Sequence, residues 1–213
     1  MCAKQSRQQA IAMDFPLLEK YGIPVIPYKV ANSSQEAVRA AKSIGYPVAL
    51  KLISNQVLHK SELHALALNL RDEQAVKSEY SRLFAIPKGH SKILVQKFLP
   101  SSLELILGGK TDPQFGPTIM LGLGGIYTEI LQDATIRVCP PSDSDIRSMI
   151  AGLKSFPIIR GARGEGGANL SELVKILRNL SKLMECEQPK ELDINPVLLT
   201  KHGLMAADVR VLR

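Results

Sequence analysis

The run Glu191-Leu192-Asp193-Ile194-Asn195-Pro196, followed after Lys201-His202-Gly203 by Asp208, constrains this chain more than any other stretch. On a strand, successive side chains point to opposite faces, so Glu191, Asp193 and Asn195 share one face and Leu192 and Ile194 the other. The Lys201-His202-Gly203 turn sends the chain back along Leu204–Leu212, where Asp208 can come opposite them. Carboxylate and amide oxygens, with no thiolate and no imidazole, make a hard-ion site suited to Mg2+. Mg2+ held by one or two protein groups keeps open positions that commonly take phosphates. The C-terminal strand pair therefore points to a chain that handles a nucleotide.

The totals agree with a folded domain of that kind. The 213 residues suffice for one large domain or two small ones, and the apolar fraction of 45% against 22% charged is that of a globular protein. No apolar run is long enough to span a bilayer, and the N-terminus lacks a signal-peptide core, so no membrane association is expected. Cys2, Cys139 and Cys186 are isolated, fitting neither a disulfide framework nor a zinc site, and a reducing cytoplasm is the expected setting. The net charge of +7 and pI near 9.4 favour anionic ligands such as nucleotides and coenzyme A. The basic residues are scattered and aromatics are only 5%, so nucleic acid is not an expected ligand.

Caps and periodicity predict helices over Phe15–Tyr21 after Asp14, from Ser33 or Ser34 to Gly45, from Asp72 through Phe84, from Ser142 or Asp143 to Ile150, and over Leu170–Met184. Strands are expected at Val25–Val30, Pro47–Ile53, Leu66–Leu70, Lys92–Phe98, Leu103–Gly108, Thr118–Leu121, Thr135–Val138, Glu191–Leu199 and Leu204–Leu212. Strands and helices mix without regular βαβ alternation, which predicts an α+β fold in two lobes, residues 1–98 and 99–213.

Several residues could carry chemistry. Lys51 lies in the apolar strand Val48-Ala49-Leu50-Lys51-Leu52-Ile53 and either pairs with a phosphate or sits on an edge with its head in solvent. His59, beside Lys60 and Ser61, is either a phosphoryl acceptor or an exposed loop histidine. The turns at Gly108-Gly109 and Gly122–Gly125 can converge backbone N–H groups on phosphate or simply turn the chain, with Glu129 nearby as a possible ligand. Arg163, with Arg160 in a glycine-rich loop, could close over phosphates or be surface. Gln96, Lys97 and Phe98 stand where the lobes join and can hold a base, with Glu104 beyond them for ribose hydroxyls.

Taken together, Ala49–Ser54, His59-Lys60-Ser61, Leu94-Val95-Gln96, Glu104–Gly109, Asp112–Pro117, Gly122–Gly125, Arg160–Gly164, Glu191–Pro196 and Asp208 resemble the ATP-grasp β subunit of ADP-forming acyl-CoA synthetases, relatives of succinyl-CoA synthetase. The resemblance implies an ATP-grasp fold, two α/β lobes gripping a nucleotide. It implies a reversible reaction in which acyl-CoA, ADP and phosphate give acid, ATP and CoA through a phosphohistidine relay. The implied partner is a CoA-binding α subunit in an α2β2 complex, and the implied ligands are ATP or ADP, phosphate and Mg2+. In that scheme His59 is the relaying histidine, Lys51 the phosphate-binding lysine, and Asn195 and Asp208 the Mg2+ ligands. Two positions depart from the family pattern, Leu63-His64-Ala65 in place of glycines and Asn169 in place of an acid. They motivate an alternative reading, a non-catalytic ATP-binding subunit that regulates or scaffolds a partner.

Overall fold

Local chemistry starts four helices of the computed structural model, which describes residues 11–53, 65–86, 92–101, 103–125, 133–161 and 167–213. In each, a side-chain oxygen accepts the backbone N–H three positions on, satisfying a donor the helix cannot. Asp14 takes Leu17 N at 3.2 Å ahead of α1 (Phe15–Lys20), Ser33 takes Glu36 N at 3.2 Å ahead of α2 (Ser34–Ile44), and Asp72 takes Ala75 N at 2.8 Å ahead of α3 (Glu73–Phe84). Ser142 opens α4 (Asp143–Ala151) with a reciprocal box, since Asp145 also accepts Ser142 N at 2.9 Å. A short α5 (Phe156–Arg160) was not expected, and α6 (Leu170–Glu187) runs three residues past the expected Met184.

The described chain forms two compact units. The unit Ile26–Pro100 holds an antiparallel sheet of β2 (Tyr28–Ala31), β3 (Val48–Ile53), β4 (Leu66–Leu70) and β5 (Lys92–Lys97), in the order β2-β5-β3-β4. Val48, Leu50, Leu52, Ile93 and Val95 point to one face and pack against Ala37, Ala41, Val76 and Leu83 of α2 and α3. Each large aliphatic side chain buried there contributes about 1.5–3 kcal/mol. Regular pairing of β2 begins at Tyr28, so the expected strand Val25–Val30 is shorter at its start, where Val25 instead bridges Ala206.

The other unit comprises the chain up to Val25 together with Ser101–Arg213. Its strands are β1 (Ile11–Ala12), β6 (Leu103–Asp112), β7 (Gly116–Leu123), β8 (Ala134–Val138), β9 (Glu191–Thr200), β10 (Gly203–Ala206) and β11 (Arg210–Leu212). They form a seven-stranded sheet, β1-β11-β9-β6-β7-β8, with β10 also on β9. Leu173, Leu177, Leu180 and Met184 of α6 are buried. Met184 lies so close over Gly109 that any added Cβ would overlap its side chain, so this glycine serves packing.

Two further boundaries differ from expectation. The first lobe was expected to start at residue 1, yet the chain up to Val25 groups with the C-terminal unit. The cause is long-range pairing, with β1 antiparallel to β11 and Ala206 N donating to Pro24 O at 2.8 Å. The expected last strand, Leu204–Leu212, is split into β10 and β11 by Ala207–Val209. Among the described residues no helix is long and apolar enough to cross a membrane.

Candidate functional site

In the four-stranded sheet, β3 is an interior strand, so Lys51 is not an edge residue. It is only 8% exposed, with Leu66 on one flank and Leu94 on the other. Ala49 pairs with Gln96 and Lys51 with Leu94, so Lys51 and Gln96 are diagonal neighbours on the face away from the α2–α3 core. Gln96 is 2% exposed, and among the described residues its amide nitrogen has no hydrogen-bond partner. An unsatisfied buried amide costs about 1–3 kcal/mol, which a ligand acceptor would recover.

Lys97 alternates to the opposite face. Its ammonium donates to the carbonyls of Gly45 and Tyr46, at 2.9 and 2.7 Å, where it closes the C-terminal end of α2. Its side chain is therefore committed to the helix side of the sheet, not to the face that carries Lys51. Strand alternation was the signal, since Gln96 and Lys97 are neighbours in one strand. The backbone N–H groups of Lys97 and Phe98 donate to Pro27 O at 2.9 Å and Pro47 O at 3.0 Å. The half-buried Phe98 lines a pocket of about 540 Å3 with Tyr46, Pro47, Asn69, Arg71 and Pro100.

In the seven-stranded sheet, Glu104, Gly124 and Gly125 come together. Gly124 N donates to Glu104 O at 2.8 Å, and a Cβ on Gly124 would stand 3.1 Å from that backbone. Gly125, at φ +71, lies against the Glu104 carboxylate, 3.5 Å from where its own Cβ would be. Close approach and a left-handed backbone both call for glycine here.

Asn195 and Asp208 also meet across strands. Ala206 pairs with Val197 and Arg210 with Asp193, and this one register, carried across the gap, sets Asp208 opposite Asn195. Asp208 accepts the N–H of Val209 at 2.9 Å, and Ala207 N donates to Pro196 O at 2.9 Å. Asn195 is exposed and Asp208 half-buried. Burial pushes the neighbouring Asp193 carboxyl above its ordinary value, Arg210 opposes the shift, and the charges of Asp208 and Glu191 add to it. This locally negative, all-oxygen donor set fits a hard divalent cation. Among the described residues no group of three or more His, Cys, Asp and Glu could hold a metal, so any ion here would rest on few protein ligands.

Glu172 of α6, not singled out from the sequence, accepts Leu204 N at 3.2 Å and holds the β9–β10 turn that leads to Asp208. Only its distance in the chain hid it. Asn169 caps α6, accepting Ser171 N at 3.0 Å and Glu172 N at 3.3 Å, so the departure at this position has a structural use. His59, His64, Glu129 and Arg163 lie outside the described residues.

Residues 3–212 match the ATP-grasp domain family. The chain is 38% identical over 206 residues to the acetate–CoA ligase (ADP-forming) II subunit beta of Pyrococcus furiosus, covering 92% of this chain and 87% of the relative. It superposes on an acetyl-coenzyme A synthetase of Ca. Korarchaeum cryptofilum in complex with coenzyme A and Ca-AMPCP with a TM-score of 0.90, at 36% identity, covering 95% of this chain and 93% of that one. A structure of that enzyme with coenzyme A and Mg-AMPPCP, its phosphohistidine segment pointing towards the nucleotide binding site, gives a TM-score of 0.81 at 37% identity, covering 92% and 87%. Fold and sequence kinship thus agree, and the chain belongs to the ATP-grasp family as a relative of the ADP-forming acetate–CoA ligase β subunits.

Proposed function

We propose that this chain is the nucleotide-binding β subunit of an ADP-forming acyl-CoA synthetase, interconverting acyl-CoA, ADP and phosphate with acid, ATP and CoA. The observation that carries the reading is the match over 92% of this chain to a subunit named as part of such a ligase. The partner would be a CoA-binding α subunit, in an α2β2 complex, within the cytoplasm. The subunit name of that relative and the isolated free Cys139 and Cys186 support these assignments.

The chemistry of the described residues supports the assigned roles. Lys51, desolvated and fixed on an interior strand, would hold a transferring phosphoryl group, since positioning and charge stabilisation dominate such reactions. Asn195 and Asp208 would hold Mg2+, which when bound offsets phosphate charge. The orphan amide of Gln96 and the carboxylate of Glu104 would orient the nucleoside. His59 would relay the phosphoryl group, with Arg163 closing on phosphate. Splitting the transfer at a histidine lets distant CoA and nucleotide sites work in sequence.

The test is phosphorylation of the complex reconstituted with its α subunit, using γ-labelled ATP and Mg2+, in wild type and His59→Asn. Acid-labile label on wild-type β subunit alone is expected. Label on neither protein, with nucleotide still bound, would favour the non-catalytic regulatory reading that the departure at His64 and Ala65 motivates.

A further inference from the structure

Phe98, expected from the sequence to hold a base, lines a pocket whose other residues have no assigned role. Tyr46, Pro47, Phe98 and Pro100 give it flat apolar walls, and Asn69 and Arg71 give it a polar end, in about 540 Å3. That volume and lining suit a planar heterocycle. The ordinary way for a strand-end segment to read a base is through main-chain N–H groups. Here those of Lys97 and Phe98 are already engaged by Pro27 and Pro47, and the Lys97 ammonium is engaged by Gly45 and Tyr46. Arg71 is the remaining cation at the pocket. Asn69, held at φ +58, accepts from Arg71 Nε at 3.4 Å and steadies the guanidinium. Among the described residues nothing engages the terminal nitrogens of the fork.

Resting on the nucleotide-binding reading above, we infer that this pocket takes the purine base and that Arg71 sets which purine is preferred. A guanidinium only donates, so it recognises paired acceptors. Guanine presents two adjacent acceptors, N7 and O6, and takes a bidentate fork, whereas adenine presents N7 beside the N6 donor and takes at most one bond. The site therefore accepts guanine nucleotides at least as well as adenine nucleotides. Phe98 stacks on the ring face and is indifferent to which base it covers.

Calorimetric titration of the full-length chain with Mg·GDP and Mg·ADP tests this, for wild type, Arg71→Gln and Arg71→Lys. Arg71 is exposed, so neither substitution disturbs the core, and matched melting curves confirm it. For Arg71→Gln, GDP affinity falls about 10- to 100-fold while ADP affinity holds or rises, because a carboxamide matches the adenine edge. Arg71→Lys keeps the charge without the fork and loses GDP preference too. Equal weakening of both nucleotides, or no change in either, overturns the assignment of Arg71 and leaves the nucleotide-binding reading standing. Wild type that binds neither nucleotide overturns both.

Discussion

In the four-stranded sheet the candidate ligand group, Lys51, sits within an unbroken ladder, whereas in the seven-stranded sheet Asn195 and Asp208 face each other where β10 breaks off from β11. The lysine is nearly fully buried and the asparagine is exposed. The difference follows from side-chain length and charge. A four-carbon stem carries an ammonium away from a regular strand, so the strand can stay paired on both sides. Asn and Asp are short, and their oxygens gain room for an ion only where the backbone leaves the ladder. The candidate phosphate site is thus built from regularity and the candidate cation site from its interruption.

Four experiments would break or sharpen that contrast. The largest effect is expected from Lys51→Met, which should lower turnover with the α subunit by about 10²–10³-fold. Methionine keeps the length of the lysine stem, so the melting temperature should move far less than turnover does. A parallel loss of fold and turnover would mean that Lys51 is structural. Asp208→Asn comes next, with Mg2+-dependent nucleotide affinity falling roughly 10- to 100-fold in calorimetry while affinity measured in EDTA stays put. If the two conditions respond alike, the pair at the ladder break is not a metal site.

Gly109→Ala should cost about 1–3 kcal/mol in urea denaturation by overpacking Met184, without altering nucleotide affinity. Gly108 and Gly109, expected in a turn, lie inside β6 with both flanks paired, and weakened affinity at unchanged stability would return them to the list of phosphate contacts. The smallest effect concerns Asp193, whose carboxyl burial and nearby acids hold above its ordinary value. The folded protein binds this proton more tightly than the unfolded chain, so stability falls as pH rises through the raised value. Asp193→Asn should therefore raise the melting temperature by about 1–3 °C at neutral pH and leave it unchanged near pH 3. A gain that persists at pH 3 would assign the effect to packing.

What could be read from the chain follows the range of each interaction. Asp14, Ser33, Asp72 and Ser142 were legible as helix starts because each cap closes within three residues. The shared face of Asp193 and Asn195, and the apolar run around Lys51, were legible because strand period is local. Lys97 was read together with Gln96 as holding a base, although alternation along the strand sends its side chain to the helix side, away from Lys51. Glu172 and Arg71 carried no such signal. One acts on a turn 32 residues away, and the other lines a pocket with residues from three separate segments.

By itself, then, the amino-acid order determined the side-chain-capped helices, most strands, the α+β class and the face that Asp193 and Asn195 share, all set by neighbours within a few positions. Only the tertiary structure decided that β3 is interior, that the chain up to Val25 joins the C-terminal unit, and that the last strand breaks at Asp208. Those outcomes depend on which distant strand supplies each hydrogen bond, as β11 does for β1, and a backbone donor gives no sign in its own side chain of the partner it will find.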